Sequence, residues 1–364
     1  MSPNPSHGTI SFSLPPDLLQ YLSSLDAFIS SQIDPLQHRD DNNRFFDHRR
    51  EHARTDWDHG GLPRSDWEDL LRACRKLADD AGFYRFCLPE EYGGRNGGNL
   101  WMAAIRMHLA RKGLGLANDL QNEHSVVGNF PDVLMVREFG SAEQKEEFIH
   151  GRLEGRRSFA FGLTEPNHGS DATHMFTHAE KATQDGIPGW RINGGKMWIT
   201  GMHVATHCLV FARTHGKAGD AHGITAFFVP RDTPGFHIES FEWTFNMPTD
   251  HATLTFQDVF VPDSAVLGTP GLGLAIAQTG VLHRGEHQVC ADPEAVWEGV
   301  SNESGDPVPR RGIGDAGGDV EAVDLEDGRA DGRLDPEGDR AGPGTGRTAC
   351  ARKLQIEQCR STAA

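Results

Sequence analysis

Residues 158–172 read S-F-A-F-G-L-T-E-P-N-H-G-S-D-A, and residues 194–201 read G-G-K-M-W-I-T-G. They lie where the chain changes character. From about residue 156 to 268 it breaks into short runs at 190–192, 196–200, 208–213, 224–229 and 253–260, rich in Val, Phe and Thr. Branched and aromatic side chains pack well on a pleated surface, so these runs predict strands. Asn193-Gly194 between the first two predicts a tight turn, and Pro230, Pro234 and Pro262 punctuate the rest. The expectation is a compact antiparallel β-barrel-like domain.

N-terminal to it, residues 15 to about 155 read as helical. Ser65-Asp66-Trp67-Glu68 has the form of a capping box, with an acidic side chain three residues after a hydroxyl. Behind it, Trp67, Leu70, Leu71, Cys74, Leu77 and Ala78 recur at helical spacing, so one face can bury. Ser141-Ala142-Glu143-Gln144 predicts a second capped helix that ends near Gly151, and residues 100–114 suit a helix between them. The fold class expected is α+β: a helical domain at 15–155, a β-domain at 156–270 and the start of a further helical domain at 271–283.

Beyond about residue 283 the pattern is lost. All 20 Phe, all 3 Tyr and all 8 Met lie before it, and the remaining residues are dense in Gly, Asp, Glu and Arg. Such a stretch buries too little apolar area to offset the entropy of ordering it, so 284–364 is expected to be a disordered acidic tail.

Composition bounds the function. A chain of 364 residues allows two or three domains. Net charge −17 argues against nucleic acid, which calls for a basic patch. No apolar run has transmembrane length, and the N-terminus lacks a secretory pattern. The C-terminal Ser-Thr-Ala-Ala is not a peroxisomal tripeptide, so a cytoplasmic address is the default expectation. The six cysteines form no C-x-x-C pair and read as reduced thiols. His168, His174 and His178 lack metal-site spacing. Gly271-Leu272-Gly273 stands apart from any strand–helix unit that would make it a dinucleotide fingerprint.

The two quoted stretches, some thirty residues apart, together resemble the paired flavin-binding signature of the acyl-CoA dehydrogenase family, T-E-P-x-x-G-S-D-A and K-x-W-I-T. The resemblance runs from roughly residue 40 to 279. N-E-H-S-V-V-G-N-F (122–130) and F-N-M-P-T-D-H (245–251) are similar to long-chain or atypical members. The family's cofactor is FAD, its substrate class acyl-CoA thioesters, and its reaction α,β-dehydrogenation within fatty acid β-oxidation and lipid metabolism. Electrons pass to an electron-transferring flavoprotein, or to oxygen in the oxidase variant. Members are homo-oligomers, and their roles leave mitochondrial or peroxisomal addresses open.

Chemistry agrees with the resemblance. A flavin that accepts hydride becomes anionic around N1 and the C2 carbonyl, and preorganised hydroxyls and amides stabilise that charge. The resemblance makes Phe161, Leu163, Thr164, Gly169, Ser170, Trp198, Ile199 and Thr200 cofactor-binding residues. Among them Thr164 and Thr200 supply hydroxyls, Leu163 main-chain contacts and Trp198 a flat apolar face. Gly169 allows close backbone approach, and Ser170 can reach a phosphate or the substrate's pantetheine arm. Asp250 stands where the family has an acidic residue near substrate, whereas Ala252 stands where it often has Arg.

The family continues past residue 279 into a helical bundle that carries the catalytic base, an R-K-x-F-G-K segment and most of the subunit interface. None of these is legible in 280–364. Shifting the reading frame forward by one base makes the codons of 293–309 compatible with Q-K-R-F-G-K-A-L-A-T-N-Q-A-I-Q-F. The expectation is that the family's C-terminal domain is missing or translated out of frame, that the catalytic residue is unknown, and that the chain is either a dehydrogenase or an inactive remnant of one.

Overall fold

The computed structural model describes residues 14–47, 53–118, 126–244 and 247–282. The readings made of 284–364, including the acidic tail and the shifted frame, lie outside them.

The helical layer comprises α1 (Pro16–Phe28), α2 (Asp34–His38), α3 (Ser65–Asp80), α4 (Asn99–Ala110) and α5 (Pro131–Phe139), with a continuous helical run from α6 (Ala142–Gln144) to α7 (Gly151–Leu153). A two-stranded ribbon of β1 (Thr55–Asp56) and β2 (Leu62–Pro63) interrupts it. The spacing read in α3 places Trp67, Leu70, Leu71, Cys74 and Ala78 in the core, with Leu77 half-buried beside them. Full burial of an apolar side chain stabilises by about 1.5–3 kcal/mol.

The two predicted capping boxes part company. At Ser141 the box forms: its Oγ accepts from Gln144 N at 3.2 Å, and its own N–H donates to Gln144 Oε1 at 3.1 Å. Gln144 Nε2 also donates to the carbonyls of Ser264 and Val266, both at 2.9 Å, fastening helix to sheet. At Ser65 no box forms. Arg64 is the N-cap without a side-chain cap bond, Asp66 is held by Arg44 and Arg64, and Glu68 points across to His203. His203 draws Glu68 from the helix end, while Asp66 Oδ1 still accepts from Trp67 N at 3.1 Å.

The β-domain is a single eight-stranded sheet: β3 (Phe159–Gly162), β4 (His178–Gln184), β5 (Ile187–Thr200), β6 (His207–Arg213), β7 (Ile224–Pro230), β8 (Phe236–Thr244), β9 (Met247–Pro262) and β10 (Val266–Leu267). Its order is β10-β7-β6-β4-β5-β9-β8, with β3 also paired to β6. The expected antiparallel barrel is therefore corrected twice. The sheet is open, with β10 and β8 at its ends, and β3 and β4 each pair parallel to β6.

Asn193-Gly194 is not a hairpin turn either. β5 runs unbroken through it, and the two-residue turn before β5 is Asp185-Gly186, with φ of 53° and 79° as a primed turn requires. Both dipeptides are turn signals. The cross-strand pairing of β5 with β9 overrode the one at 193.

β6 and β7 are buried along nearly their whole lengths because both faces are covered. Leu209, Phe211, Ala226 and Phe228 pack against the helical layer, while Cys208, Val210, Phe227 and Val229 join β5, β8 and β9 in a second cluster. Helix α8 (Gly273–Leu282) follows β10 and packs against the first cluster through Leu274–Ala277. Among the described residues no helix is long and apolar enough to cross a membrane.

Candidate functional site

β3 and β4 occupy the same side of β6, one after the other. Phe159–Gly162 pairs with His207–Val210, and His178 pairs with Arg213. Residues 163–177 thus leave the sheet at one point of β6 and re-enter a few residues along. That excursion contains the T-E-P-N-H-G-S-D-A stretch.

A buried ion pair holds the excursion down. Glu165 accepts from Phe176 N (2.7 Å), Thr177 N (2.9 Å) and Lys196 Nζ (2.9 Å), and Lys196 also donates to the Leu163 carbonyl at 3.0 Å. Lys196 has no exposed side-chain surface and Glu165 has 4%. Burial opposes ionisation of Glu165, but the Lys196 charge and the bonds from Thr177 and Phe176 outweigh it and hold the carboxyl below its ordinary range. For Lys196 burial wins over the attraction of Glu165, and its ammonium is pushed down to about 8. The nearby Cys208 thiol is pushed up to about 12 by burial, which leaves it an inert core residue.

The second stretch is shaped by a β-bulge. Lys196 pairs with Leu254 and Ile199 with Ala252, so β5 carries one more residue than β9 across this interval. In a regular strand Lys196 and Ile199 would face opposite sides. The bulge lets both bury while Trp198 is turned outward, 45% exposed and at φ 64°. Left-handed backbone in a bulky residue costs on the order of 1–3 kcal/mol. The freed Met197 N–H donates to the Thr164 carbonyl at 2.9 Å, so the two stretches meet backbone to backbone.

Past the bulge, Ile199 is in the second cluster and Thr200 therefore lies on the opposite face. Phe161 lies on that face too, because Gly162 beside it faces Cys208 of the second cluster. Phe161 is 39% exposed and packs on Phe211 at 4.9 Å between centroids. Thr200 Oγ1 lies 2.9 Å from Nδ1 of His251, its cross-strand partner, and that same nitrogen lies 3.5 Å from Asp250 Oδ1. Burial raises the Asp250 carboxyl above its ordinary value despite the neighbouring His251 and His203. His203 Nε2 lies 3.2 Å from Glu68 Oε1, linking the turn after β5 to α3.

The structure thus brings Thr164, Trp198 and Thr200 together through the bulge and its cross-link. Gly169 and Ser170 lie exposed on the excursion. Leu163 is half-buried against the helical core and contributes its carbonyl to Lys196. The Ile199 side chain points into the core, so only its main chain can face a ligand. Sequence reasoning passed over Glu165, Lys196 and His251. The first two could have been read as one acid and one base, each fixed in its own stretch. His251 had no such signal, because its importance rests on register.

Comparison with known proteins now adds identity to geometry. Residues 24–156 match the family model described as acyl-CoA dehydrogenase, N-terminal domain, and residues 160–259 the one described as acyl-CoA dehydrogenase, middle domain. The short-chain specific acyl-CoA dehydrogenase of Megasphaera elsdenii is 38% identical over 227 residues, 61% of this chain and 55% of that protein. The structure of butyryl-CoA dehydrogenase from the same organism superposes with a TM-score of 0.54 at 28% identity, covering 75% of this chain and 63% of that one. The FAD complex of PigA gives a TM-score of 0.54 at 20% identity, covering 75% and 63%, a likeness of fold. The chain spans about half the length of the curated relatives it matches.

Proposed function

The chain belongs to the acyl-CoA dehydrogenase family, a family of FAD-binding flavoproteins, and from that premise we propose that it binds FAD and takes part in α,β-dehydrogenation of acyl-CoA thioesters. The observation that carries this reading is the cross-linked pair of stretches. A bulge exposes the Trp198 indole and sets Thr200 on the same face as the exposed Phe161, while Thr164 is tied to Met197 beside them. Exposed aromatic faces next to hydroxyls suit a planar, amphipathic ring, so the residues present fit the cofactor.

Bound FAD would supply the hydride acceptor for the substrate β-carbon. Thr164 and Thr200 offer hydroxyl donors where negative charge develops, and Trp198 covers the ring against water. Gly169 and Ser170, at the exposed tip of the excursion, offer backbone and hydroxyl contacts to phosphate or pantetheine. By the family pattern Asp250 is the acidic residue near the acyl-CoA substrate. No described residue is assigned as the α-proton acceptor, and electron transfer onward to an electron-transferring flavoprotein follows the family pattern.

The test begins with the purified chain mixed with FAD, followed by flavin absorbance and fluorescence. The expected result is a yellow, stoichiometric complex that bleaches anaerobically with an acyl-CoA, tried from short to long chains. A yellow complex that no acyl-CoA bleaches would identify a flavin-binding remnant. A colourless protein would overturn the proposal.

A further inference from the structure

Within the flavin reading, on which this inference rests, Thr200 is useful only if its hydroxyl hydrogen points outward. A threonine hydroxyl has one proton and can either give it to a neighbour or accept from that neighbour. Its neighbour here is His251 Nδ1 at 2.9 Å, so the direction of this one bond decides whether the proton is available to a ligand.

Asp250 settles the direction. Its Oδ1 lies 3.5 Å from the same His251 nitrogen, and its side chain is 13% exposed. A bare Nδ1 lone pair would face a carboxylate oxygen across that gap, whereas an Nδ1–H is attracted to it. The hydroxyl tolerates either role and the carboxylate does not. The other charged groups near this cluster are Glu242, the register partner of His251 on β8, whose Oε1 accepts from the Ser240 and Thr253 hydroxyls at 2.6 Å, and His203, on the turn after β5, with Glu68, on α3, which engage each other at 3.2 Å. Glu68 therefore does not draw the proton of His251 elsewhere.

We propose that His251 is a positioning residue: its Nδ1–H, oriented by Asp250, donates to Thr200 Oγ1 and so leaves the Thr200 hydroxyl proton directed at the flavin. The arrangement depends on the register that sets Thr200 opposite His251, and that register exists because the bulge at Met197-Trp198 shifted β5 by one residue.

Two measurements test this. The chain without FAD, labelled with ¹⁵N-histidine, is studied at about pH 8, above the ordinary ranges of free imidazole and carboxyl groups. The His251 signals are identified by their loss in His251→Asn. A protonated Nδ1 is expected, and Asp250→Asn should move the proton toward Nε2. An unprotonated Nδ1 in the parent chain, or no response to Asp250→Asn, would overturn the proposal.

The second measurement is FAD affinity by fluorescence titration. Thr200→Val and His251→Leu should each weaken binding about two- to tenfold, the range of one hydrogen bond. Their double variant should be no weaker than either alone. His251→Asn, which keeps an N–H near the place of Nδ1, should hold affinity within about twofold of the parent. Additive losses, or no rescue by Asn, would count against the positioning role. A chain that fails to bind FAD while showing the expected tautomer would sink the flavin reading and spare the histidine assignment.

Discussion

Two bulges interrupt the ladder between β5 and β9, and they solve different problems. At the first, β9 carries the extra residue: Ile192 and Gly194 oppose Val259 and Phe256, and Asp258 adopts φ 52°. Asp tolerates left-handed backbone at little cost. Asn193 closes the gap, its Oδ1 accepting from Asp258 N at 2.8 Å and its Nδ2 donating to Asp258 Oδ1 at 3.1 Å. At the second, β5 carries the extra residue, and a tryptophan sits at φ 64° with its ring in solvent. The first repairs register with residues suited to it. The second places a residue poorly suited to its backbone beside a buried ion pair, in the stretch proposed to meet the flavin.

The largest expected effect falls on that ion pair. Lys196→Met leaves the Glu165 carboxylate buried without its cation and should cost about 3–5 kcal/mol in urea unfolding. Asn193→Ala at the other bulge should cost about 1 kcal/mol, the scale of its lost hydrogen bonds. Equal losses at the two sites would erase the distinction drawn between them.

Acid should sharpen it further. Glu165 is held below its ordinary value of 4.5, so its stabilisation is complete above that pH and is lost as pH falls through the folded value. The Glu165→Gln/Lys196→Met double variant lacks this term. It should lose less stability than the parent between about pH 5 and about pH 3, measured by denaturant midpoints at each pH. Parallel pH profiles would show that the pair does not contribute as described.

A smaller effect on stability separates the two left-handed residues. Trp198→Gly relieves backbone strain while loosening the unfolded chain, and should leave stability within about 1 kcal/mol of the parent. Its FAD affinity should drop markedly, read by fluorescence. Asp258→Gly gives up the bond from Asn193 Nδ2 while relieving the left-handed φ, so it should shift stability by less than about 1 kcal/mol and leave FAD affinity unchanged. If Trp198→Gly kept full affinity, the indole would have no part in the site.

Legibility tracked the range of the interactions. The core face of α3 from Trp67 to Ala78 was readable because helix periodicity is local. The Ser141 box was readable because donor and acceptor are three residues apart. The same motif failed at Ser65, where His203, distant in sequence, took Glu68. Asn193-Gly194 failed as a turn for the same reason, since β9 pairs along both sides of it.

By itself the sequence determined the division into helical and β segments and the family to which the paired stretches belong. Those arise from local spacing and from side-chain chemistry that each residue carries with it. Tertiary structure decided that the sheet is open, that Glu165 and Lys196 neutralise one another out of water, and that His251 faces Thr200. Such facts depend on register between strands, where one inserted residue turns a side chain from core to solvent.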